Sequence, residues 1–450
     1  MLPEVKKLHQ TNSLIRIPPS QDIPLSHRVR CLLDTEPMRR LASISQLGMV
    51  SFVYPGATHS RFEHSLGVFH NALQLLSHFS GDSVFEKMVS HQMQEAFVIA
   101  ALIHDVGHWP FCHPIEDMNL KGIERHEIRA EAWVRNSELA DCLRRDWACS
   151  IDEVLNLLNP QNLGQGEQID EGFNFLRSCL SGPVDIDKLD YLNRDSLHAG
   201  VPYGQNFDKP RIISTFCIHP STGKLAIGEK GKTAAEMMVF SRYVMFSEVY
   251  WHHAVRASTA MLQRAVFLLQ NRMDLASSLR LDDASWISTL FRSAEGSVAE
   301  PLVDGLFGRK RRLYKRAAEF SVLDEVSIHR SIARRPYWWL VACSEKLAER
   351  VSNRIGVAVH AADILIDAPP AKLEVDIDLD VVHRGGEVRS LREVSPVASA
   401  LADHQFDKYV KRVRLFLRPD LQQDLRNKMS KQDWVTEILA ACESINEELE

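Results

Sequence analysis

Several familiar signals are missing from this chain of 450 residues. No stretch approaches the roughly 20 apolar residues of a membrane span, so no membrane partner is expected. The opening MLPEVKKLHQTNSLIRIPPSQ lacks the apolar centre of a secretory signal. The eight cysteines (Cys31, Cys112, Cys142, Cys149, Cys179, Cys217, Cys343, Cys442) form no CxxC pair. That scatter argues against a zinc knuckle and for reduced thiols, and so for a cytoplasmic location. Charge of one sign is scarce too. A formal balance of −6 leaves no global basic footprint for duplex nucleic acid, so any polyanion must be held by a local cluster. Composition is otherwise that of an ordinary globular protein, at 45% hydrophobic and 25% charged, with length for two or three domains.

The first 25 residues, with NSLIRIPPSQDIP, read as an extended arm. From Leu25 to about Asn271 the pattern is mostly helical, and RFEHSLGVFHNALQLLSHF places Leu66, Phe69, Leu73 and Leu76 on one stripe. A strand-and-turn signal interrupts it at FCIHPSTGKLAIGEKGK, which predicts a short β-hairpin near 216–230. After Asp274 the segment ending RRLYKRAAEF reads as helices with short loops. Its basic run, Arg309–Arg316, is a solvated face or an anion site. ILIDAPPAKLEVDIDLDVVHRGGEVRSL reads as strands, and the close from SALADHQFDKYVKRVRLFL onward as helix-rich. These readings divide the chain into an arm (1–25), a helical core (26–300) and an α+β C-terminal region (301–450).

Three stretches carry acid or imidazole groups where a helix interior should be bland. In GATHSRFEHSLGV, Arg61 and His64 share one helical face. In AFVIAALIHDVGHWPFCH, a run apolar on all sides ends in His104 and Asp105, with His108 and His113 close behind. In VDIDKLDYLNRDSLHAGV, Asp187, Asp190, Tyr191, Arg194 and Asp195 follow i, i+3, i+4, i+7, i+8. Each piece alone is weak: a lone His ending an apolar helix is usually a hydrogen-bonded core histidine, and Asp187 alone could be a helix-start carboxylate. Together, one His, a His-Asp pair and a distant Asp supply two imidazole nitrogens and two carboxylate oxygens. That mixed set suits Mn, Fe, Zn or Ni, and Mg less comfortably.

These ordered motifs, SRFEHSLGV, ALIHDVGHWPFCH and VDIDKLDYLNRDSLHAGV, resemble the H…HD…D pattern of the HD-domain phosphohydrolases. The closer likeness is to the deoxynucleoside triphosphate (dNTP) triphosphohydrolase branch, which includes bacterial dGTPases and the sterile-alpha-motif HD enzyme. SISQLG upstream and FSRYVMFSEVYWHHAVR downstream extend it over most of residues 30–420. The resemblance implies a mainly α fold, an HD-domain helical core with a smaller α+β C-terminal region. It also implies hydrolysis of a dNTP to deoxynucleoside and inorganic triphosphate by water attacking the α-phosphorus.

By that likeness His64, His104, Asp105 and Asp187 are the ligands of one divalent metal, with a further Mg accompanying the substrate triphosphate. His108 and His113 match histidines near the α-phosphate. His126 matches the acid for the leaving 5′-oxygen, and Glu127 the carboxylate that orients it. Arg61, Lys188 and Arg242 match phosphate-binding positions, a sensible choice since guanidinium grips phosphate oxygens in pairs. Gln46 and Leu47 match residues against the deoxyribose. Tyr191 matches the aromatic that leaves no room for a 2′-hydroxyl, and Asp195 the 3′-hydroxyl acceptor. Tyr250 matches the residue under the base, with His252 nearby.

The resemblance further implies a homo-oligomer, dimer or tetramer, and a nucleotide activator. The activator set is altered: Asp34 and Arg40 keep the family types, but Arg39 and Ala42 replace a glutamine and an arginine. Glu116 stands where family members can carry Asp. Single-stranded nucleic acid is a partner that the sequence leaves open without supporting. Two other functions remain at this stage: an HD enzyme for another phosphoester (monophosphate, cyclic nucleotide or alarmone), and a nucleotide-binding regulator with little turnover.

Overall fold

Two serines open the helices that frame the His-Asp motif. The Ser60 side chain accepts from the Glu63 N–H to start the helix Arg61–His78, and Ser90 does the same for Met93 at the head of His91–Ile103. Each satisfies one of the unpaired donors of a first turn. The computed structural model describes every residue except 9, 11, 20, 160–169, 370–377, 402–409 and 450. In it these two helices pack together, and every residue from Ala96 to Ile103 is fully buried. A helix with no polar face lies in the interior, so His104 and Asp105 are delivered to the inside of the protein.

A third helix, Ile186–Ala199, is capped by the Asp185 side chain on the Lys188 N–H and ended by Gly200 at φ 71°. It packs on Arg61–His78. At their crossing a Cβ on Gly67 would overlap Asp190 Oδ1 and Arg194 Nη2. The absent side chain is what lets His64 and Asp190 meet. Gly107 plays the same part in the HDVGH turn, where a Cβ would overlap the His126 carbonyl oxygen.

Among the described residues there are twenty-four α-helices and nine short strands, so the protein is mainly α. The strands are β1 (Leu14–Ile17), β2 (Gln21–Pro24), β3 (Phe216–Ile218), β4 (Leu225–Gly228), β5 (Lys315–Phe320), β6 (Ile364–Asp367), β7 (Asp380–Val382), β8 (Val388–Ser390) and β9 (Val413–Leu417). They form sheets ordered β1-β2, β3-β4-β7-β8 and β5-β9-β6. β3 and β4 are the hairpin expected near 216–230, with Phe216 opposite Ile227, and β7 runs parallel to β4.

Three local readings of the sequence are corrected. The arm is not simply extended: a short helix, Pro3–Lys6, precedes the β1-β2 hairpin, in which Arg16 pairs with Asp22. KRAAEF is β5 rather than helix, and VRLFL is β9, the central strand of its sheet, rather than part of a helical close. All five residues of β9 are buried, and so short an apolar run carries no period to distinguish strand from helix. Pairing with β9 then overrides the helical leaning of the alanines in β5. Parts of two further stretches read from sequence, 370–377 and 402–409, lie outside the described residues.

The larger apolar core runs from Leu2 to Phe416 and surrounds the three motif helices. A second core lies between the β5-β9-β6 sheet and the helices Tyr337–Ile355 and Lys431–Leu449, with Phe320, Trp339, Leu415 and Ile438 at its heart.

Candidate metal centre and phosphate pocket

His64, His104, Asp105 and Asp187 converge. His64 Nε2 lies 3.2 Å from His104 Nε2 and 3.0 Å from Asp187 Oδ1. His104 Nε2 lies 3.3 Å from Asp105 Oδ1 and 3.8 Å from Asp187 Oδ1. The far side of each ring fixes its tautomer. His64 Nδ1 is 2.9 Å from Asp190 Oδ2, and His104 Nδ1 is 3.0 Å from the Ala101 carbonyl. Both acceptors demand a proton on Nδ1, which leaves the two Nε2 lone pairs facing each other beside two carboxylate oxygens. Such a set of acceptors calls for a cation among them, which is a proton on His64 Nε2 toward Asp187 when no metal is bound. Ligand atoms of His64, His104 and Asp105 all lie within 4.8 Å of one another and Asp187 joins them through the two histidines, a spacing that a divalent ion with ligand distances of about 2.0–2.2 Å can close. The residues therefore fit a divalent metal ion.

The field at the site agrees. Burial works against charge on His64, yet Asp187 and Asp190 outweigh it and push its pKa up to about 10. Burial would raise Asp105, but His108, His104 and Arg61 hold it well below the usual carboxylate range. Asp187 is likewise held low against burial by His64 and His104. Burial, with Arg61 nearby, drives His108 well below the ordinary histidine value. The field thus favours positive charge around His64, Asp105 and Asp187 and disfavours it at His108.

An outer layer stiffens the ligands. Asp190 also receives Arg194 Nε at 2.8 Å and Nη2 at 2.9 Å. Arg194 reaches on to Glu63 Oε1 at 2.6 Å and to the Pro18 carbonyl at 2.8 Å, fastening the arm to the His64–Asp190 pair. Arg61 Nη1 donates to Asp105 Oδ2 at 2.7 Å. Lys188 Nζ is 2.7 Å from Asp185 Oδ2, and Lys188 and Tyr191 both feel the charge of Arg242. The three cations expected at phosphate thus lie on or beside the ligand-bearing helices.

His108, His113 and His126 form a second imidazole group. The His108 and His126 ring centroids are 3.7 Å apart, and His113 lies 5.2 Å from His108 and 5.6 Å from His126. The better-placed carboxylate on His126 is Glu116, not its neighbour Glu127. Glu116 Oε1 is 2.9 Å from Nδ1 and also takes the His126 backbone N–H at 2.8 Å, whereas Glu127 Oε1 stands 3.5 Å from Nε2. The family resemblance pointed to Glu127. The Gly107 contact and the turn at Phe111, with φ 54°, bring Glu116 across instead.

At the positions expected against a sugar, Asp195 Oδ2 accepts from the Tyr250 hydroxyl at 2.6 Å and Oδ1 is 2.9 Å from His59 Nε2. Gln46 N donates to the His59 carbonyl, and Leu47 packs on the larger core. Sequence reasoning missed His59, although it lies within GATHSRFEHSLGV. His252 is set apart: it caps the helix His253–Leu269 through Ala254 N, and its charged neighbours are Arg414, Glu248 and Arg316. Arg40 is used internally, donating to the carbonyls of His108, Leu279 and Arg280. The basic run contributes Arg311, Lys315 and Arg316 to a recess shared with His253 and Arg426.

Comparison with known proteins decides the family. The HD domain model matches residues 61–169, and the HD-associated region model matches 207–431, half of the chain. The chain belongs to the HD-domain phosphohydrolases. Among the relatives of this HD protein, an uncharacterized protein of Methanocaldococcus jannaschii is 31% identical over 85% of this chain and 74% of its own length. The deoxynucleoside triphosphate triphosphohydrolase SAMHD1 of Homo sapiens is 29% identical over 49% of this chain and 39% of its own. A Dictyostelium discoideum homologue is 34% identical over 37% and 33%. The chain thus spans half or less of most of these curated relatives. A crystal structure of a hypothetical Aquifex aeolicus protein superimposes with a TM-score of 0.69 at 26% identity, covering 93% of this chain and 99% of the other. No helix among the described residues is long and apolar enough to cross a membrane.

Proposed function

We propose that this HD phosphohydrolase converts dNTPs to deoxynucleoside and inorganic triphosphate. The observation that carries the reading is the meeting of two sites: the candidate N2O2 metal cluster and the imidazole group around His126, joined where Asp105 Oδ1 lies 3.1 Å from His108 Nδ1. His64, His104, Asp105 and Asp187 would hold one divalent ion. When bound, it supplies Lewis-acid polarisation of a phosphoryl oxygen and a lowered pKa for water.

The chain's own residues do the rest. Arg61, Lys188 and Arg242 neutralise phosphate charge from the motif helices. Water adds to the α-phosphorus as the bond to the 5′-oxygen breaks. His126, oriented by Glu116 at Nδ1, gives the Nε2 proton to the leaving oxygen, and the proton lost by the water returns through solvent. Tyr191 stands against a 2′-hydroxyl, while Asp195 takes the 3′-hydroxyl. Tyr250 carries the base, and Gln46 and Leu47 wall the sugar. Related triphosphohydrolases at 25–34% identity support the same reading.

The test is product analysis: purified protein with Mn and each dNTP and rNTP, singly and in mixtures that could supply an activator. Deoxynucleoside plus triphosphate, lost in Asp187→Ala, is the expected result. Turnover of a monophosphate, cyclic nucleotide or alarmone instead would move the substrate within the family. No turnover of any of these would favour a nucleotide-binding regulator.

A further inference from the structure

The second imidazole group contains a residue that the proposed chemistry leaves unused. Cys112 is buried at the head of the short helix Cys112–Glu116, in the sequence WPFCH. It offers Sγ to the same space as the three histidines: one ligand atom from each of His108, Cys112, His113 and His126 lies within 4.8 Å of the other three. One of the rings is held from behind. Nδ1 of His108 is 3.1 Å from Asp105, Nδ1 of His113 is 3.6 Å from Glu116, and Nδ1 of His126 is 2.9 Å from Glu116. His126 Nδ1 is hydrogen-bonded to Glu116, which leaves its Nε2 for a ligand, whereas His108 Nδ1 is buried without a hydrogen-bond partner and is itself open to an ion. A carboxylate behind the ring, as Glu116 stands behind His126, is the usual outer support of a zinc site.

We propose that His108, Cys112, His113 and His126 form a second, thiolate-containing site for Zn2+, separate from the N2O2 cluster, and that filling it switches the enzyme off. Three nitrogens and one sulfur suit a tetrahedral zinc ion, whose ligand edges are about 3.3–3.6 Å for bonds of about 2.0–2.3 Å. Closing from 4.8 Å takes side-chain movements of about 1 Å. His113, with 60% of its side chain exposed, gives the ion a way in. The thiolate selects zinc over the harder Mn or Mg. On binding, the Cys112 proton leaves to solvent and the sulfur takes the metal in its place. Inhibition rests on the function proposed above: a zinc ion on His126 Nε2 occupies the nitrogen that must deliver the proton.

The experiment uses the Mn-loaded protein. Co2+ serves as a spectroscopic probe, and zinc-edge X-ray absorption reads the wild-type site directly. The expected results are a thiolate-to-cobalt charge-transfer band that disappears in Cys112→Ser, and one sulfur in the zinc shell at about 2.3 Å. Cys112→Ser should keep the zinc-free rate and need roughly tenfold more zinc for half-inhibition, since loss of even an outer partner costs that much affinity. A zinc shell of nitrogen and oxygen alone, or a cobalt band unchanged in Cys112→Ser, would overturn the site. The spectroscopic arm needs no turnover. A band lost in Cys112→Ser in a protein that hydrolyses no dNTP keeps the site and refutes the dNTP reading; dNTP turnover without the band does the reverse.

Discussion

Replacing Asp190 by Asn tests whether the metal centre depends on the layer behind its ligands. Asp190 keeps His64 in the tautomer whose Nε2 lone pair faces the cluster, through Oδ2 at 2.9 Å from Nδ1. An amide in its place can present N–H to Nδ1, and the His64 proton then moves to Nε2, where it points at the ion. Loss of such an outer partner costs about 10–100-fold in metal affinity, or about 1.4–2.8 kcal/mol. Folding should suffer less than when a buried ion pair is stripped bare. Arg194, 1% exposed, keeps Glu63 at 2.6 Å, the Pro18 carbonyl and Gln21, so about 1–3 kcal/mol is expected. The assay is Mn affinity by competition with a chelator, run beside a urea unfolding curve of the metal-free protein. An affinity within about twofold of wild type in a variant that has lost stability would refute the reasoning: Asp190 would then serve Arg194 and not His64.

Two further predictions follow from the geometry. Glu116→Gln should lower kcat by about tenfold or more, while Glu127→Gln changes it little, because Glu116 holds both the His126 ring and its backbone. The reverse order in steady-state rates would restore Glu127 as the orienting carboxylate. Asp283, whose Oδ2 accepts the Ser45 N–H beside Gln46, has its carboxyl pushed up by burial to about 6. That lies above its unfolded value near 4, so its contribution to stability is full below about pH 4 and lost as pH rises through 6. Asp283→Asn should therefore gain on wild type by up to about 3 kcal/mol between about pH 4 and 7 in urea unfolding. A difference constant across that window would contradict the shift.

The helical class and the family were legible because their signals are local and strong. AFVIAALI is apolar on every side, and a His-Asp pair at its end has few structural uses. Strands β5 and β9 were not legible, since KRAAEF has alanines at its centre and VRLFL is too short to show a period; only their pairing across nearly a hundred residues fixes them. The same division runs through the site. The motif letters bring His64, His104, Asp105 and Asp187 to attention, and the structure does bring them together. Asp190 and Arg194 sit in the same stripe of Ile186–Ala199, yet nothing in the spacing says that they face His64 and Glu63. That follows from Gly67, a residue whose importance lies in what it lacks. Glu116 was visible as a residue but not as the partner of His126, because a ten-residue separation across an irregular turn leaves no periodic trace.

The most direct test of the account is to follow the oxygen of water. Whichever dNTP the protein turns over should be hydrolysed in heavy-oxygen water and the products examined by mass spectrometry. The account predicts one labelled oxygen in the inorganic triphosphate and none in the deoxynucleoside, since water attacks the α-phosphorus and the 5′-oxygen leaves. Label in the deoxynucleoside, or release of a monophosphate with pyrophosphate, would contradict it.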